Sequence, residues 1–582
     1  MPAELTKKFS GLNPFKKIGK GEDEEDAGEQ IQVDVKGHRV THDTHVVAKE
    51  DLRVSHALKS FLSERQILSE ADSGVENDDV PPALRQLLGK PHIFVPPELT
   101  ERGHPLPEYY VSSSHNTYLL AHQLYGESCA SGYETALRTG SRCVEIDAWD
   151  DSDNPLEPKV THGFTLTSHI SFRDVCQTIR RVFEEEYEEA AKTPGHTPAP
   201  VLLSLENHCG AVGQQRLVDI MKEEFGPWLL SEAVREEGHR EQEGSGEHVT
   251  LAELGAKIAV IVEYHFAGEP ESSDTDSSDE GDAEDEREAR KEYKEQKKKE
   301  GASIIIPELA KLGVYAQSVK PVDKSWYDPG ILTDGPHHHL INVSESGLKS
   351  HLPKHTAAIA KHNSEHLMRV FPKGTRIGSS NLKPVPFWGL GAQICALNWQ
   401  HFGTSNQLND ALFATTDGYV LKPKALRAGG DGNLGTGRKK ILRLHVAGAT
   451  NVPLHDESEA DSIRPYLTCT LYHPDDLSED TPKRKTNSYR QHRLGFLHKG
   501  ENPPPIDPIW DDILEWEYWD TEMSFVRLLL KSDENWTKNP MFATVAIRLQ
   551  YVGEEWTFVR LLDMKGQETN CTVLVRFEFR DA

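Results

Sequence analysis

From about residue 104 to 266, short β-like runs alternate with helical ones; the alternation resumes near Ile304 and ends around Arg427. This pattern predicts a parallel sheet or barrel with helices on its outer face. One such helix is expected over Asp174–Tyr187, with Val175, Ile179, Val182 and Phe183 on a single face,. The interruption cannot add to a core. Glu269–Glu288 is almost wholly acidic, polar or small with Arg287 its only base, and Arg290–Lys299 is Lys-rich. A segment of that composition buries too little apolar surface to offset the entropy of ordering it. Residues 268–303 are therefore expected to be a disordered linker inserted into one α/β domain formed by 104–267 and 304–428.

The flanks are of other kinds. Residues 1–50 are polar and charged and read as disordered, and 51–103 read as a short helical remnant with one helix over Ser55–Leu68,. No calcium loop of the EF-hand type follows that helix, and no PH domain is read. After the Gly-rich joint Ala428–Gly437, runs such as ILRLHVAGA, YLTCTLY, FVRLLLK and TVLVRFEF predict an all-β sandwich over 438–582,.

The 582 residues carry a net charge of −28, which argues against general nucleic-acid binding,. Seven cysteines without a CxxC pair fit a reduced intracellular protein,. Met1–Gly21 lacks an apolar signal region, no run is long enough to span a bilayer, and Pro2 stands where myristoylation needs glycine,. The expectation is a cytoplasmic monomer that meets membranes peripherally.

Four runs end in residues that bind metals or move protons: YYVSSSHN (Tyr109–Asn116), CVEID (Cys143–Asp147), KVTHG (Lys159–Gly163) and VLLSLEN (Val201–Asn207). Glu145 and Asp147 are two apart on a strand and share a face. Two adjacent carboxylates repel unless a cation lies between them, and oxygen ligands suit Ca²⁺ or Mg²⁺. Asn116 offers an amide oxygen and Glu206 a third carboxylate. His115 and His162 beside a cation suit proton transfer and stabilisation of transition-state charge. Converging in space, the set would make a metal-dependent phosphodiesterase.

YYVSSSHNTYLLAHQL, GSRCVEIDAWD, THGFTLTS and PVLLSLENHC resemble the X region of eukaryotic phosphoinositide-specific phospholipase C. SESGLKSHL, MRVFPKGTRIGSSN, ICALNWQ and GYVLKPKALR resemble its Y region, and the tail resembles its C2 domain. The resemblance implies a TIM-type barrel split by the acidic linker, with catalysis at the carboxyl ends of the strands. It implies that Asn116, Glu145, Asp147 and Glu206 hold one Ca²⁺ and that the inositol 2-hydroxyl attacks the 1-phosphate. Glu145 or Glu206 would take the proton, His115 would stabilise the pentacoordinate phosphorus, and His162 would protonate the departing diacylglycerol oxygen. The products would be diacylglycerol and an inositol phosphate, by way of a cyclic phosphate.

The chain departs from the family where headgroup phosphates are read. Ile261 and Glu263 occupy the positions of two phosphate-binding lysines, and Asn342 that of a serine, while Arg369 and Phe371 keep the family's phosphate and ring contacts. Less phosphorylated phosphoinositides are thus expected as substrates beside the bisphosphate. Leu124, Phe164 and Leu166 match an apolar rim that would enter lipid headgroups. In the C2 segment Arg464, Ser532 and Glu534 replace expected aspartates, leaving Asp456, Asp461 and Asp533, so packing on the barrel is expected rather than a full calcium site. Lys483–Lys485, Arg490 and Arg493 are its candidate membrane contacts. His337–His339 reads as a loop. The competing reading is a catalytically silent phosphoinositide-binding scaffold, which predicts a missing histidine or calcium ligand; none is missing.

Overall fold

The computed structural model describes residues 28–29, 47–76, 80–120, 128–162, 168–193, 195–235, 248–265, 304–320, 325–328, 332, 335–373, 376, 380–454, 456–476, 482–492, 500–533 and 541–582. The expected linker therefore lies wholly outside the described residues, as do Leu124, Phe164, Leu166, Arg493 and Glu534.

The first β elements are β1 (Tyr109–Val111), β2 (Ser114–His115), β3 (Cys143–Trp149), a β4–β5 hairpin (Lys159–Val160, Ile170–Ser171), β6 (Val201–His208) and β7 (Ile258–Tyr264). They continue with β8 (Gln317–Val319), β9 (His339–Ser344), β10 (Leu367–Phe371), β11 (Ile394–Cys395), β12 (Leu397–Asn398) and β13 (Tyr419–Leu421). Parallel pairing runs β3-β6-β7-β8-β9-β10-β11-β1, and the parallel bridge Ser113–Cys143 closes the ring. The order is that of an eight-stranded β/α barrel, with β2 and β12 extending two of the strands above a break. Strand β7 lies before the charged stretch and β8 after it, so the interruption falls between neighbours in one barrel.

Period-two alternation sorts each strand into an inner and an outer face. Outward residues Val144, Ile146, Leu203 and Leu205 pack on Val175, Ile179, Val182 and Phe183 of the helix Phe172–Ala190. That helix is two residues longer at its start and three at its end than the sequence pattern predicts. Ser171 caps it by accepting from the Asp174 backbone N–H at 3.1 Å, and each buried aliphatic side chain contributes about 1.5–3 kcal/mol,. Inward residues Val111, Cys143, Leu202, Leu340, Leu367 and Ile394 form an apolar plug. Further along β3, β9 and β10 the same face turns polar, with Glu145, Asn342 and Arg369.

The carboxy-terminal sheet is antiparallel. It holds β14 (Lys439–Thr450), β15 (Pro465–Tyr472), β16 (Lys483–Lys485), β17 (Ile509–Trp519), β18 (Phe525–Ser532), β19 (Met541–Arg548), β20 (Thr557–Leu562) and β21 (Glu568–Asp581), in the order β16-β15-β18-β19-β20-β21-β14-β17. Its inner faces enclose one apolar core, the arrangement of a C2 sandwich. Arg527 and Thr544 both donate to Gln407 Oε1 on the barrel helix Thr404–Leu412, at 2.7 and 2.9 Å. Phe525, Met523 and Tyr551 join Trp388 in the barrel's outer core.

The first helix ends at Glu64 rather than Leu68, because Gln66 takes a left-handed φ of 56°. With the helix Pro82–Gly89 it packs on the sandwich, not the barrel: Leu58, Leu62, Leu84 and Leu88 meet Ala447, Phe558 and Leu574. No described helix is long and apolar enough to cross a membrane.

Candidate active site

Parallel register puts Asp147 beside Glu206 and Asn342 beside Arg369. The carboxylates of Glu145, Asp147 and Glu206 thereby offer three oxygens within 4.8 Å of one another at the carboxyl ends of β3 and β6. Asn116 follows β2 with a left-handed φ of 45°, a conformation asparagine tolerates better than most residues,. That turn aims its backbone N–H at Glu145 Oε2, 2.7 Å away. Tyr118, which the motif reading passed over, is fully buried and donates to Asp147 Oδ2 at 2.6 Å, close also to Asn116 Oδ1 at 3.1 Å. Its place three residues after His115 in SHNTYLL was the only clue in the sequence.

Arg369 is fully buried beneath these acids. Its guanidinium donates to Glu145 Oε1 at 2.5 Å and to Asn342 Oδ1 at 3.1 Å, with Glu206 Oε1 at 3.9 Å and the Phe371 ring centroid at 5.7 Å. Even so, one cation does not balance three carboxylates. Burial, with Glu206 adding to it, pushes the Glu145 carboxyl up to about 7. Burial and then the neighbouring Glu206 and Glu145 push Asp147 well above the carboxylate range. Asp147 Oδ1 is buried with no hydrogen-bond partner. A divalent cation bound by oxygens fits this donor set: it would supply the missing positive charge and occupy that orphaned oxygen.

His115 stands at the end of β2 with Nε2 3.9 Å from Glu145 Oε2. Asn398, aligned with it on β12, donates its amide to Ser380 O at 3.0 Å and so turns Oδ1 toward His115 Nδ1, 2.9 Å away. The Nδ1–H donates there, leaving Nε2 free to exchange a proton. Burial, then the Arg369 charge, lowers the ring to about 4, so it is neutral at pH 7 until an anion arrives. His162 does not come from a barrel strand. It follows β4 of the hairpin that pairs antiparallel with β3, where the preceding Thr161 N–H donates to Asp147 O at 3.3 Å.

Ile261 points into the apolar plug, and Glu263, two residues on, faces the mouth. The sequence reading missed Lys320, just after β8, whose Nζ lies 3.9 Å from Glu263 Oε1. In the sandwich, the Arg464 N–H donates to Ser532 Oγ at 3.1 Å. Among the described residues, Asp456, Asp461 and Asp533 do not converge as a metal-ligating group.

The closed barrel carries the three acids at the carboxyl ends of its strands with His115 beside them, and a C2 sandwich follows it. Residues 102–264 match the family "Phosphatidylinositol-specific phospholipase C, X domain", and 309–425 match its Y domain. The human protein named 1-phosphatidylinositol 4,5-bisphosphate phosphodiesterase delta-1 is 31% identical over 497 residues, 83% of this chain and 61% of that protein. A Dictyostelium discoideum 1-phosphatidylinositol 4,5-bisphosphate phosphodiesterase is 32% identical over 422 residues, 67% of this chain and 50% of that one. The crystal structure of L. pealei PLC21 superposes with a TM-score of 0.67 at 22% identity, covering 91% of this chain and 65% of that one, a likeness of fold. The chain belongs to the eukaryotic phosphoinositide-specific phospholipase C family. It spans 50–61% of the length of the two curated relatives described above.

Proposed function

We propose that this protein is a Ca²⁺-dependent phosphodiesterase that cleaves phosphoinositides to diacylglycerol and an inositol phosphate through a cyclic phosphate. The observation that carries this reading is the convergence of Glu145, Asp147 and Glu206 beside His115, with one Asp147 oxygen unsatisfied. Asn116, Glu145, Asp147 and Glu206 would hold the ion, which when bound neutralises phosphoryl charge and acidifies the inositol 2-hydroxyl.

The chain's own residues do the rest. Glu145 or Glu206 takes the 2-hydroxyl proton as that oxygen attacks phosphorus. As the anionic substrate binds, His115 takes a proton from solvent water at Nε2 while Asn398 holds its other nitrogen in place, and the imidazolium donates to a phosphoryl oxygen as the dianionic phosphorane forms. His162 protonates the diacylglycerol oxygen as its bond to phosphorus breaks. Water then opens the cyclic phosphate by the reverse proton path. Phe371 lies against the inositol ring at the mouth.

The test is headgroup release from vesicles carrying phosphatidylinositol, its monophosphate or its bisphosphate, with Ca²⁺ or a chelator. Ca²⁺-dependent release supports the proposal; release that ignores the chelator, or none on any lipid, overturns it in favour of another mechanism or a silent scaffold.

Glu263 at the mouth disfavours a phosphate there, offset in part by Lys320. Glu263→Lys is therefore expected to raise the rate on the bisphosphate relative to phosphatidylinositol by about 10–100-fold, the equivalent of one charged contact. An unchanged ratio would place phosphate recognition elsewhere.

The raised carboxyls also set a pH dependence. A group whose folded pKa lies above its unfolded value of about 4.3 stabilises the fold at low pH and loses that contribution as pH rises through the folded value. In chelator, the melting temperature is expected to fall between pH 6 and pH 8 as Glu145 ionises, less so in Asp147→Asn. Saturating Ca²⁺ should flatten the curve.

A further inference from the structure

At the opposite end of the barrel from these acids lies a cluster of histidines that the proposed reaction does not use. His337 and His338 form the turn entering β9, so the expected loop ends there and His339 begins the strand. His366 immediately precedes β10, and His248 stands before the short helix Leu251–Leu254 that leads into β7. The His248 and His337 rings lie parallel, with centroids 5.3 Å apart and planes 5° apart, and the His338 ring is 5.6 Å from His248 and 4.8 Å from His337.

The members of this cluster are not equivalent. His339 Nε2 is 2.9 Å from His362 Nε2, so those two share a proton and are committed to each other. His248, His337 and His338 each present a ring nitrogen within 4.8 Å of the other two. The Nε2 of His338 is buried with no hydrogen-bond partner. Beside it is a cavity of about 20 Å³ whose polar lining includes His248, His338, His339, His366 and Glu365, with His337 outside it and apolar side chains such as Leu254 on the rest of its wall. That space holds one water or one ion and excludes any organic ligand.

We propose that His248, His337 and His338 form a binding site for a borderline divalent transition metal, of which Zn²⁺ fits best, with the fourth position taken by water or His366. Three neutral imidazoles are a nitrogen donor set that hard cations such as Ca²⁺ or Mg²⁺ do not select. Tetrahedral zinc sets neighbouring nitrogens roughly 3.3 Å apart, so the rings need to close by no more than about 1.5 Å, within reach of side-chain rotation. His248 precedes the charged stretch at 269–300 in sequence, and His337 and His338 follow it. The ion would clip the two halves of the barrel together at the end away from the lipid.

The experiment uses the full chain stripped with chelator and reloaded in Ca²⁺, which keeps the acidic cluster occupied. Zinc content after desalting and the visible absorption of a Co²⁺ substitute are then read. One equivalent of zinc, a tetrahedral Co²⁺ spectrum and a melting temperature that climbs with the logarithm of free zinc are expected. His248→Ala and His337→Ala, both at half-buried positions, should each lose the equivalent at micromolar zinc while melting like wild type in chelator. Asp147→Asn should keep it. No zinc bound by wild type, or equal binding by the two histidine variants, overturns the proposal. Headgroup release does not enter this readout, so it stands apart from the test of the phosphodiesterase.

Discussion

Replacing His115 by Ala is expected to lower headgroup release by about 10²–10⁴-fold, the range for a positioned proton-transfer group, with little change in melting temperature. The ring is not part of the apolar core. Its side chain is 17% exposed, and its hydrogen bond to Asn398 links it to the short strand β12 rather than to the plug. Losing it removes a donor that acts only once negative charge builds on phosphorus, so kcat should fall while KM stays close to wild type. Asn398→Ala serves as the positioning control: the imidazole remains but its tautomer is no longer fixed, and a smaller loss with a shifted pH profile is expected. A His115→Ala loss below tenfold would show that the residue does not touch the reacting phosphate.

Arg369→Met is expected to destabilise the metal-free protein by about 3–5 kcal/mol, because it strands Glu145 among Glu206 and Asp147 with no counter-charge. The cost depends on pH. Glu145, already raised to about 7, can escape by taking a proton, so the loss should be nearer the lower figure at pH 6 and the upper at pH 8. Excess Ca²⁺ should restore part of it by replacing one cation with another. Urea unfolding of the barrel in chelator and in Ca²⁺ measures both. A change under about 1 kcal/mol at pH 8 would mean that Arg369 is not the counter-ion of the acids. The geometry adds a role to the expected one: with 1% of its side chain exposed, Arg369 lies below the surface a headgroup would first meet.

The acids were readable from sequence because a strand's period of two places Glu145 and Asp147 on one face, and parallel register then brings Glu206 beside Asp147. Tyr118 and Asn398 were not, because each acts through a contact between segments far apart in the chain that no local pattern encodes. His162 follows Lys159–Val160, a β-like run, and local propensity does not tell a hairpin strand from a barrel stave. The first helix stops at Glu64, short of the Leu68 that its apolar spacing predicts, because that spacing continues past the left-handed turn at Gln66.

The helices between residues 56 and 89 belong to the sandwich by their packing, although the whole barrel separates them from it in sequence. Phe94 extends the attachment, its backbone N–H donating to Tyr551 O at 2.7 Å. The barrel is thus spliced into a second body and leaves and re-enters it at both ends. A part held by two covalent straps and an interface cannot pivot as a bead on one string can. Whatever orients the sandwich at a lipid surface therefore also fixes the angle at which the acid-lined mouth meets that surface.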